Sequence, residues 1–287
     1  MTRLILTFTD SAAGRLKAAK LADCVIPVGL RFVWGQLQSR SELDALLSSR
    51  ASIQGASTSH WLDNLAGNRF DEARSQGLGF IEFCQRFEAI ELWVDPDPNS
   101  QLQLIWLLDD SRPHADVASK LSLVQTDASI GDQLHVDLPK WRTQAVPIRN
   151  DHLDTASLAW TAWRAATPEA WFDLLARDLS ALPQLRGNVV SLLEELPARG
   201  SGLGATEVRM LELISAGDAR PFDVFPGHEK PNERRIFGYW EVGCLLDGLA
   251  LCPAPAVAGL DEGPRWRCTT MPRVTSAIRR AGCRLPN

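Results

Sequence analysis

The stretch LILTFTDSAAGRLKAAKL, residues 4–21, decides how the chain begins to fold. Residues 4–8 are a short run of apolar and β-forming side chains, which predicts a strand. Asp10 and Ser11 come next, and residues 12–21 have the composition of a helix with Lys and Arg on one face. A strand, a tight turn and a helix form the opening unit of an α/β sheet.

The same alternation continues as far as residue 126. The pattern predicts further strands at residues 24–28, 90–94 and 121–125, and helices at residues 41–47, 60–65, 80–87 and 101–108. Ser41 is the predicted cap of the first of these helices, and Asn99 or Ser100 of the last. Strands that alternate with helices predict an α/β domain over residues 1–126 with a mostly parallel sheet and right-handed crossovers.

The second half of the chain has a helical pattern. Residues 127–150 lose periodicity and are interpreted as a linker, and residues 151–287 as a mainly α-helical domain. The predicted helices cover residues 155–165, 167–182, 185–196, 205–216, 237–251 and 272–281, with a short strand at 266–269. Helices, a strand and a final helix with a basic end predict a winged-helix-like character.

Composition excludes several classes of protein. Hydrophobic residues make up 45% and charged residues 23% of the chain, as in a globular protein, and the net charge of −5 argues against a wholly basic nucleic-acid-coating protein. No run approaches the roughly 18 to 20 apolar residues of a membrane helix, and the N-terminus lacks a signal peptide. The six cysteines form no C-x-x-C pair, which predicts reduced thiols. Together these features predict a cytoplasmic protein without a membrane partner.

The first strand-to-helix turn is the main predicted binding site. Backbone N–H groups and the helix dipole favour an anion at a helix N-terminus, and ligands of open α/β sheets bind beyond the carboxyl ends of the strands. We therefore expect Asp10, Ser11, Ala12 and Gly14 to contact a phosphate- or carboxylate-bearing small molecule. The alternative is that Asp10 or Ser11 only caps the helix. Neither dinucleotide nor triphosphate loop motifs are present, so the cofactor stays unknown.

A second group of candidate ligand contacts comes from later segments. Glu91 and Trp93 alternate along a predicted strand and so share a face, where a carboxylate beside an indole suits a polar ligand. Trp61, next to His60, is predicted to join them. The alternative is that both tryptophans belong to the core.

Two other patterns are interpreted as structural. Trp160, Trp163 and Trp171 fall near helical spacing, which predicts packing between two helices. The segment 204–207, Gly-Ala-Thr-Glu, predicts a helix start, with Gly204 at the cap and the Glu207 side chain reaching back to it.

The C-terminal tail carries a marked positive charge. Residues 263–287 contain six arginines and no acid. Arg267, Arg273, Arg279 and Arg280 are the predicted contacts to nucleic acid or a protein partner, since guanidinium groups bind phosphates. The alternatives are a solvated basic face or a patch that docks on the acidic N-terminal domain. The five histidines show no ligand spacing, and no metal site is predicted.

Two sets of motifs resemble known families. TDSAAGRL at residues 9–16, HWL at 60–62, ELW at 91–93 and QL at 101–102 resemble a bacterial family described as domain of unknown function 1835. GLGATE at 202–207, Leu211, Gly217 and FGYW at 237–240 resemble domain of unknown function 3658, which usually follows it. The resemblance implies the two-domain layout and no particular reaction. Residues 28–37, VGLRFVWGQL, depart from the first family because they lack its acids and its Gly-Pro pair.

Two functional hypotheses follow. The first is a protein that binds an anionic small molecule at the first turn, with enzymatic activity left open. The second is a regulatory or interaction module that binds nucleic acid or a protein through the arginine-rich end.

Overall fold

The computed structural model of the protein describes residues 2–53, 60–132, 144–217, 220–226 and 232–260. The strands are β1 Arg3–Thr7, β2 Cys24–Pro27, β3 Ala89–Val94, β4 Leu121–Gln125 and β5 Val146–Pro147. The helices are α1 Asp10–Ala18, α2 Arg40–Leu47, α3 Asp71–Gln76, α4 Phe80–Gln85, α5 Pro98–Ser111, α6 Ala115–Ala118, α7 Asn150–Trp163, α8 Glu169–Leu175, α9 Leu185–Leu193, α10 Ala205–Ala216 and α11 Tyr239–Leu251. Short 3₁₀ turns lie at Arg50–Ser52, Trp61–Asn64, Asn68–Phe70 and Pro221–Asp223.

The strands form one sheet in the order β2-β1-β3-β4-β5. The first four are parallel, which confirms the predicted α/β fold with a mostly parallel sheet. The two-residue β5 pairs antiparallel with β4 and lies within the predicted linker. After β2 the chain returns to the other side of β1, so β1 and β3 are neighbours whose connections leave in opposite directions. This place is the topological switch point of the sheet.

Apolar side chains cover both faces of the sheet, as parallel strands require. On one face, Ile5, Val25 and Trp93 pack under α1. On the other, alternate residues such as Leu4 and Leu92 pack in a larger cluster with the almost fully buried α5.

The helices of the second half pack directly on the first. Both α7 and α9 lie against α5, and residues from α7, α8 and α9 belong to the same hydrophobic cluster as the sheet. Trp160, Trp163 and Trp171 are buried there, and the last two rings meet edge to face at 5.5 Å, so the core interpretation is confirmed. Between residues 150 and 260, the described part of the chain holds α7 to α11. The strand at 266–269 and the helix at 272–281 lie outside the described residues, so the winged-helix character and the domain boundaries stay predictions.

Several helix ends differ from those predicted, because side chains that suit caps occur in runs. Ser39 caps α2 in place of Ser41, through a reciprocal pair of bonds with Glu42. Asp97 caps α5, and the helix begins at Pro98, before the predicted Asn99 or Ser100. The helix start at Gly204 is confirmed, since the Gly204 N–H donates to the Glu207 carboxylate at 2.9 Å.

The segment 28–37 connects the sheet to the helical half. Phe32 packs between Trp106 and Trp160, and Trp34 meets Phe237 edge to face at 5.5 Å. Arg31 binds the buried carboxylate of Glu241 in α11 through both Nε and Nη2. In this chain the segment 28–37, which connects β2 to α2, therefore holds α11 next to the sheet.

Two further sequence predictions concern thiols and membranes. Cys24, Cys84 and Cys252 are free thiols, and burial raises the pKa of both Cys24 and Cys84. Cys244 is disulfide-bonded, so the prediction of reduced thiols is wrong at that position. Within the described ranges, no helix combines the length and apolar character needed to cross a membrane.

Candidate functional site

The first strand-to-helix turn is capped by the residue before the predicted ones. Thr9 Oγ1 accepts the Ala12 N–H at 3.2 Å, and the Thr9 carbonyl accepts the Ala13 N–H at 3.0 Å. Asp10, Ser11 and Gly14 are exposed and Ala12 is buried. Thr9, Asp10 and Ser11 are all good capping residues, and the sequence does not distinguish among them. The structure selects Thr9.

The loop 126–132 lies against the start of α1. Ile130 belongs to the cluster under this helix, and its N–H donates to Asp95 Oδ1 at 2.7 Å. A Cβ added to Gly131 would lie 2.7 Å from Ser11 Cβ, so only glycine fits this approach. The loop therefore packs on the first turn of α1 at Ser11.

Glu91 and Trp93 share a face of β3, as predicted, but they bind protein groups. Trp93 Nε1 donates to Glu91 Oε2 at 2.8 Å, and Arg3 Nη1 donates to the other oxygen at 3.0 Å. Trp93 is buried under α1.

Trp61 lies on the opposite side of the sheet. Its Nε1 donates to the Leu78 carbonyl at 2.9 Å, and its ring meets Phe83 at 5.0 Å within the larger cluster. His60 is fully buried, with Nε2 on the Ser48 carbonyl at 2.8 Å, and burial lowers its pKa. The structure does not bring Trp61 together with Trp93.

A cleft of about 690 Å³ lies at the switch point, beside the predicted turn. One wall consists of residues that follow the carboxyl ends of β1, β3 and β4. The other wall consists of α9 and the segment 233–236. Of the seven predicted ligand contacts, none lines this cleft. The described lining is Thr9, Asp95, Pro96, Asp97, Pro98, Asp127, Ala128, Ser129, Asp132, Asn188, Ser191, Glu233, Arg234, Arg235 and Ile236.

Asp95 is the central polar group on the sheet side. It follows β3 directly and is only 3% exposed. Its Oδ1 accepts the Ile130 N–H, and its Oδ2 accepts the Thr9 hydroxyl at 3.3 Å. The pKa of Asp95 is raised to about 6, mainly by burial and also by the nearby carboxylates of Asp97 and Asp132. Its carboxyl group therefore titrates well above the usual range of an aspartate.

The opposite wall carries two arginines, both engaged in ion pairs. Arg234 binds Glu195 at 2.7 Å and Glu194 at 2.9 Å. Arg235 binds Asp132 at 2.6 Å and thereby links the segment 233–236 to the loop 126–132 across the cleft. Both groups in this cross-cleft pair are well exposed, so water weakens their attraction.

A set of amide side chains fixes the two walls relative to each other. Gln184, just before α9, donates to the Thr126 carbonyl at 2.8 Å. Gln101 of α5 donates to the Gln184 side chain at 3.0 Å and to the Asp95 carbonyl at 3.1 Å. Buried side-chain hydrogen bonds of this kind rigidify a structure when they are satisfied. The cleft is therefore formed by the fold before any ligand binds.

The sequence contained one signal for this cleft. Residues 95–98, Asp-Pro-Asp-Pro, close β3, and an acid at the carboxyl end of a strand beside the switch point is well placed for a ligand. Strand order, which identifies the switch point, follows only from the structure.

The remaining sequence predictions concern the basic tail and metals. Arg267, Arg273, Arg279 and Arg280 lie outside the described residues, so the nucleic-acid or partner hypothesis stays a prediction. Within the part of the chain that the structure describes, no group of three or more His, Cys, Asp or Glu side chains is arranged to hold a metal ion.

A scan against models of protein families finds no match for this chain, and a search of curated proteins finds no similar sequence. The resemblance to domains of unknown function 1835 and 3658 therefore stays a prediction.

Proposed function

We propose that this protein binds a small polar molecule in the cleft at the switch point. The observation that carries the proposal is the position of the cleft, at the carboxyl ends of β1, β3 and β4 and between two packed halves of the chain. Ligands of open α/β sheets bind at this place, and pockets are common between packed units.

The charges in the lining favour one class of ligand. Asp95, Asp97, Asp127, Asp132 and Glu233 contribute five carboxyl groups, and the two guanidinium groups are already paired with acids. This lining repels the phosphate or carboxylate expected from the sequence and suits hydroxyl or amino groups, which donate hydrogen bonds to carboxylates. The ligand we propose is therefore still a small molecule near the first turn, but it is neutral or positively charged where the sequence predicts an anion. We propose binding and assign no reaction.

A thermal-shift screen tests the proposal with three sets of compounds: phosphates and carboxylates, neutral polyols and nucleosides, and amines. We expect stabilisation by members of the last two sets. A ligand at 100 times its Kd contributes about 2.7 kcal/mol, which corresponds to a rise in Tm of about 5 °C for a chain of this size.

Two substitutions on α9 locate the binding site. Ser191→Trp fills the cleft from its α9 wall, whereas Val190→Trp places the same side chain on an exposed position outside the cleft. We expect Ser191→Trp to abolish the ligand-induced shift and Val190→Trp to preserve it. The proposal fails if no compound raises Tm, or if both variants respond like the wild type.

A further inference from the structure

A second cleft, of about 640 Å³, lies at the opposite end of α5 from the switch point. It is enclosed by α2, the last turn of α5 with the following residues 113–114, and the C-terminal part of α7. Trp106 and Trp160 form its apolar part. Its location at the far end of a 14-residue helix separates it from the cleft of the proposed function.

Arg164 donates to the Gln38 carbonyl at 3.1 Å, but most other described titratable side chains of this cleft make no hydrogen bond. Among the described residues, the side chains of Arg40, Asp44, Asp109, Asp110 and His114 make no hydrogen bond or close ion pair, although Arg40 and His114 lie near enough to Asp110 to lower its pKa. The cleft at the switch point differs, because its arginines are paired with acids. Polar groups in a concave pocket without protein partners are available to a ligand.

Two of these acids occupy an unfavourable place on α5. Asp109 and Asp110 lie in its last turn, which contains no basic residue. The carboxyl end of a helix carries partial negative charge, so carboxylates there reduce stability. The pKa of Asp110 is raised to about 6, mainly by burial and also by the carboxylate of Asp44 on α2. Arg40 and His114 offset this cost only in part, since the pKa of Asp110 stays raised. A local arrangement that costs stability is typical of a functional site.

We propose that this cleft binds a small organic cation, an ammonium or guanidinium group, between Asp44 of α2 and Asp109 and Asp110 of α5. A positive charge there interacts favourably with these carboxylates and with the negative end of α5. The Trp160 ring already accepts a guanidinium, because Arg164 lies 5.7 Å from its centroid. Arg40 and Arg164 also line the cleft, where they suit a carboxylate carried by the same ligand.

Isothermal titration calorimetry with agmatine tests the cation directly, since agmatine carries a guanidinium and an ammonium group. Arginine, which adds a carboxylate, is the second arm. Tighter binding of arginine assigns a contact to Arg40 or Arg164, and equal or weaker binding leaves the cation as the recognised group; both results support the site. The absence of binding heat for both compounds at millimolar concentration overturns it.

Acid variants separate binding from folding. We expect Asp110→Asn to weaken agmatine about tenfold or more, as the loss of a charge-assisted hydrogen bond does. The same variant removes a carboxylate from the helix end, so its Tm rises by roughly 2 °C. Asp44→Asn is expected to weaken binding in the same direction.

The control is Asp116→Asn, which changes an exposed acid on α6 outside the cleft. Its affinity for agmatine stays at the wild-type value, as does that of Ser191→Trp in the other cleft. Agmatine affinity that is unchanged in both Asp110→Asn and Asp44→Asn overturns the proposal.

Discussion

The Arg31–Glu241 pair is expected to contribute strongly to stability, because it joins the segment after β2 to α11. Arg31 Nε donates to Glu241 Oε1 at 2.5 Å, and Nη2 donates to Oε2 and also to the Ile236 carbonyl at 3.4 Å. The Glu241 side chain is 10% exposed and that of Arg31 is 39% exposed. The two partners therefore differ in how much water can replace the lost contact.

Arg31→Met leaves the Glu241 carboxylate buried, with the Gly238 N–H at 2.5 Å as its remaining donor. Removing one partner of a fully buried pair costs about 3–5 kcal/mol, and access of water to Arg31 reduces our expectation to about 2–3 kcal/mol. Glu241→Gln costs less, about 1–2 kcal/mol, since the guanidinium then faces water and the amide oxygen still accepts from Gly238. We expect a coupling free energy of at least about 1 kcal/mol in the double-mutant cycle.

Urea unfolding followed by circular dichroism measures these free energies through the midpoint and the slope. The matched control is Arg112→Met, which breaks an exposed pair with Asp154 at 2.5 Å between α5 and α7 and is expected to cost less than about 1 kcal/mol. If Arg31→Met costs no more than Arg112→Met, the pair does not hold α11 as described. An effect of Glu241→Gln larger than that of Arg31→Met refutes the argument from burial.

Three further predictions concern the described contacts. Gly131→Ala is expected to destabilise the protein by about 1–3 kcal/mol, because the added methyl group clashes with Ser11. Gly187→Ala, inside α9 with open space around it, is expected to stabilise the protein by about 0.5–1 kcal/mol. Urea unfolding gives both free energies, and equal effects of the two variants contradict the packing of the loop 126–132 on α1. Asp95 has a pKa of about 6, against an ordinary value of 3.8, so the folded state binds its proton more tightly and stability falls as pH rises between these values. Relative to Asp95→Asn, the wild type is expected to lose about 3 kcal/mol of unfolding free energy from pH 3.5 to 7.5. A difference between the two proteins that stays constant with pH contradicts the argument from burial. Burial lowers the pKa of His60, so the contribution of this side chain to stability is present above its unfolded pKa of about 6.5 and is lost as the pH falls below that value. We therefore expect Tm to drop more steeply from pH 7.5 to 5 for the wild type than for His60→Gln. Parallel Tm curves count against a buried, neutral His60.

The parallel part of the fold could be predicted because its strands are continuous apolar runs that end at turn residues. Leu121–Gln125 is placed by the structure where the pattern predicts it. Val146–Pro147 could not be predicted, since two residues carry no periodicity and the pairing with β4 depends on a contact more than twenty residues away along the chain. The sequence places the start of α5 too late in the chain, because Asn99 is a residue type that often caps helices. In the structure the Asn99 side chain instead accepts the Phe32 N–H at 2.8 Å.

The sequence predicts the neighbourhood of the candidate site but not the residues that line it. The sequence correctly indicates that Glu91 and Trp93 share a face, but their hydrogen bond to each other and their cover by α1 arise from tertiary packing. Asp95 could not be recognised as the buried acid of the cleft, because its partners Thr9 and Ile130 lie 86 and 35 residues away in the sequence. Local patterns predict turns, and the cleft depends on which turns the sheet brings together.

The most direct test of the binding proposal is a crystal structure of the protein with the compound that gives the largest thermal shift. We predict electron density for the compound between Asp95 on the sheet side and Ser191 on α9, in contact with at least one of the lining carboxylates. Density over the exposed start of α1 at Asp10 and Ser11, with the cleft between the two walls filled only by solvent, would contradict the account.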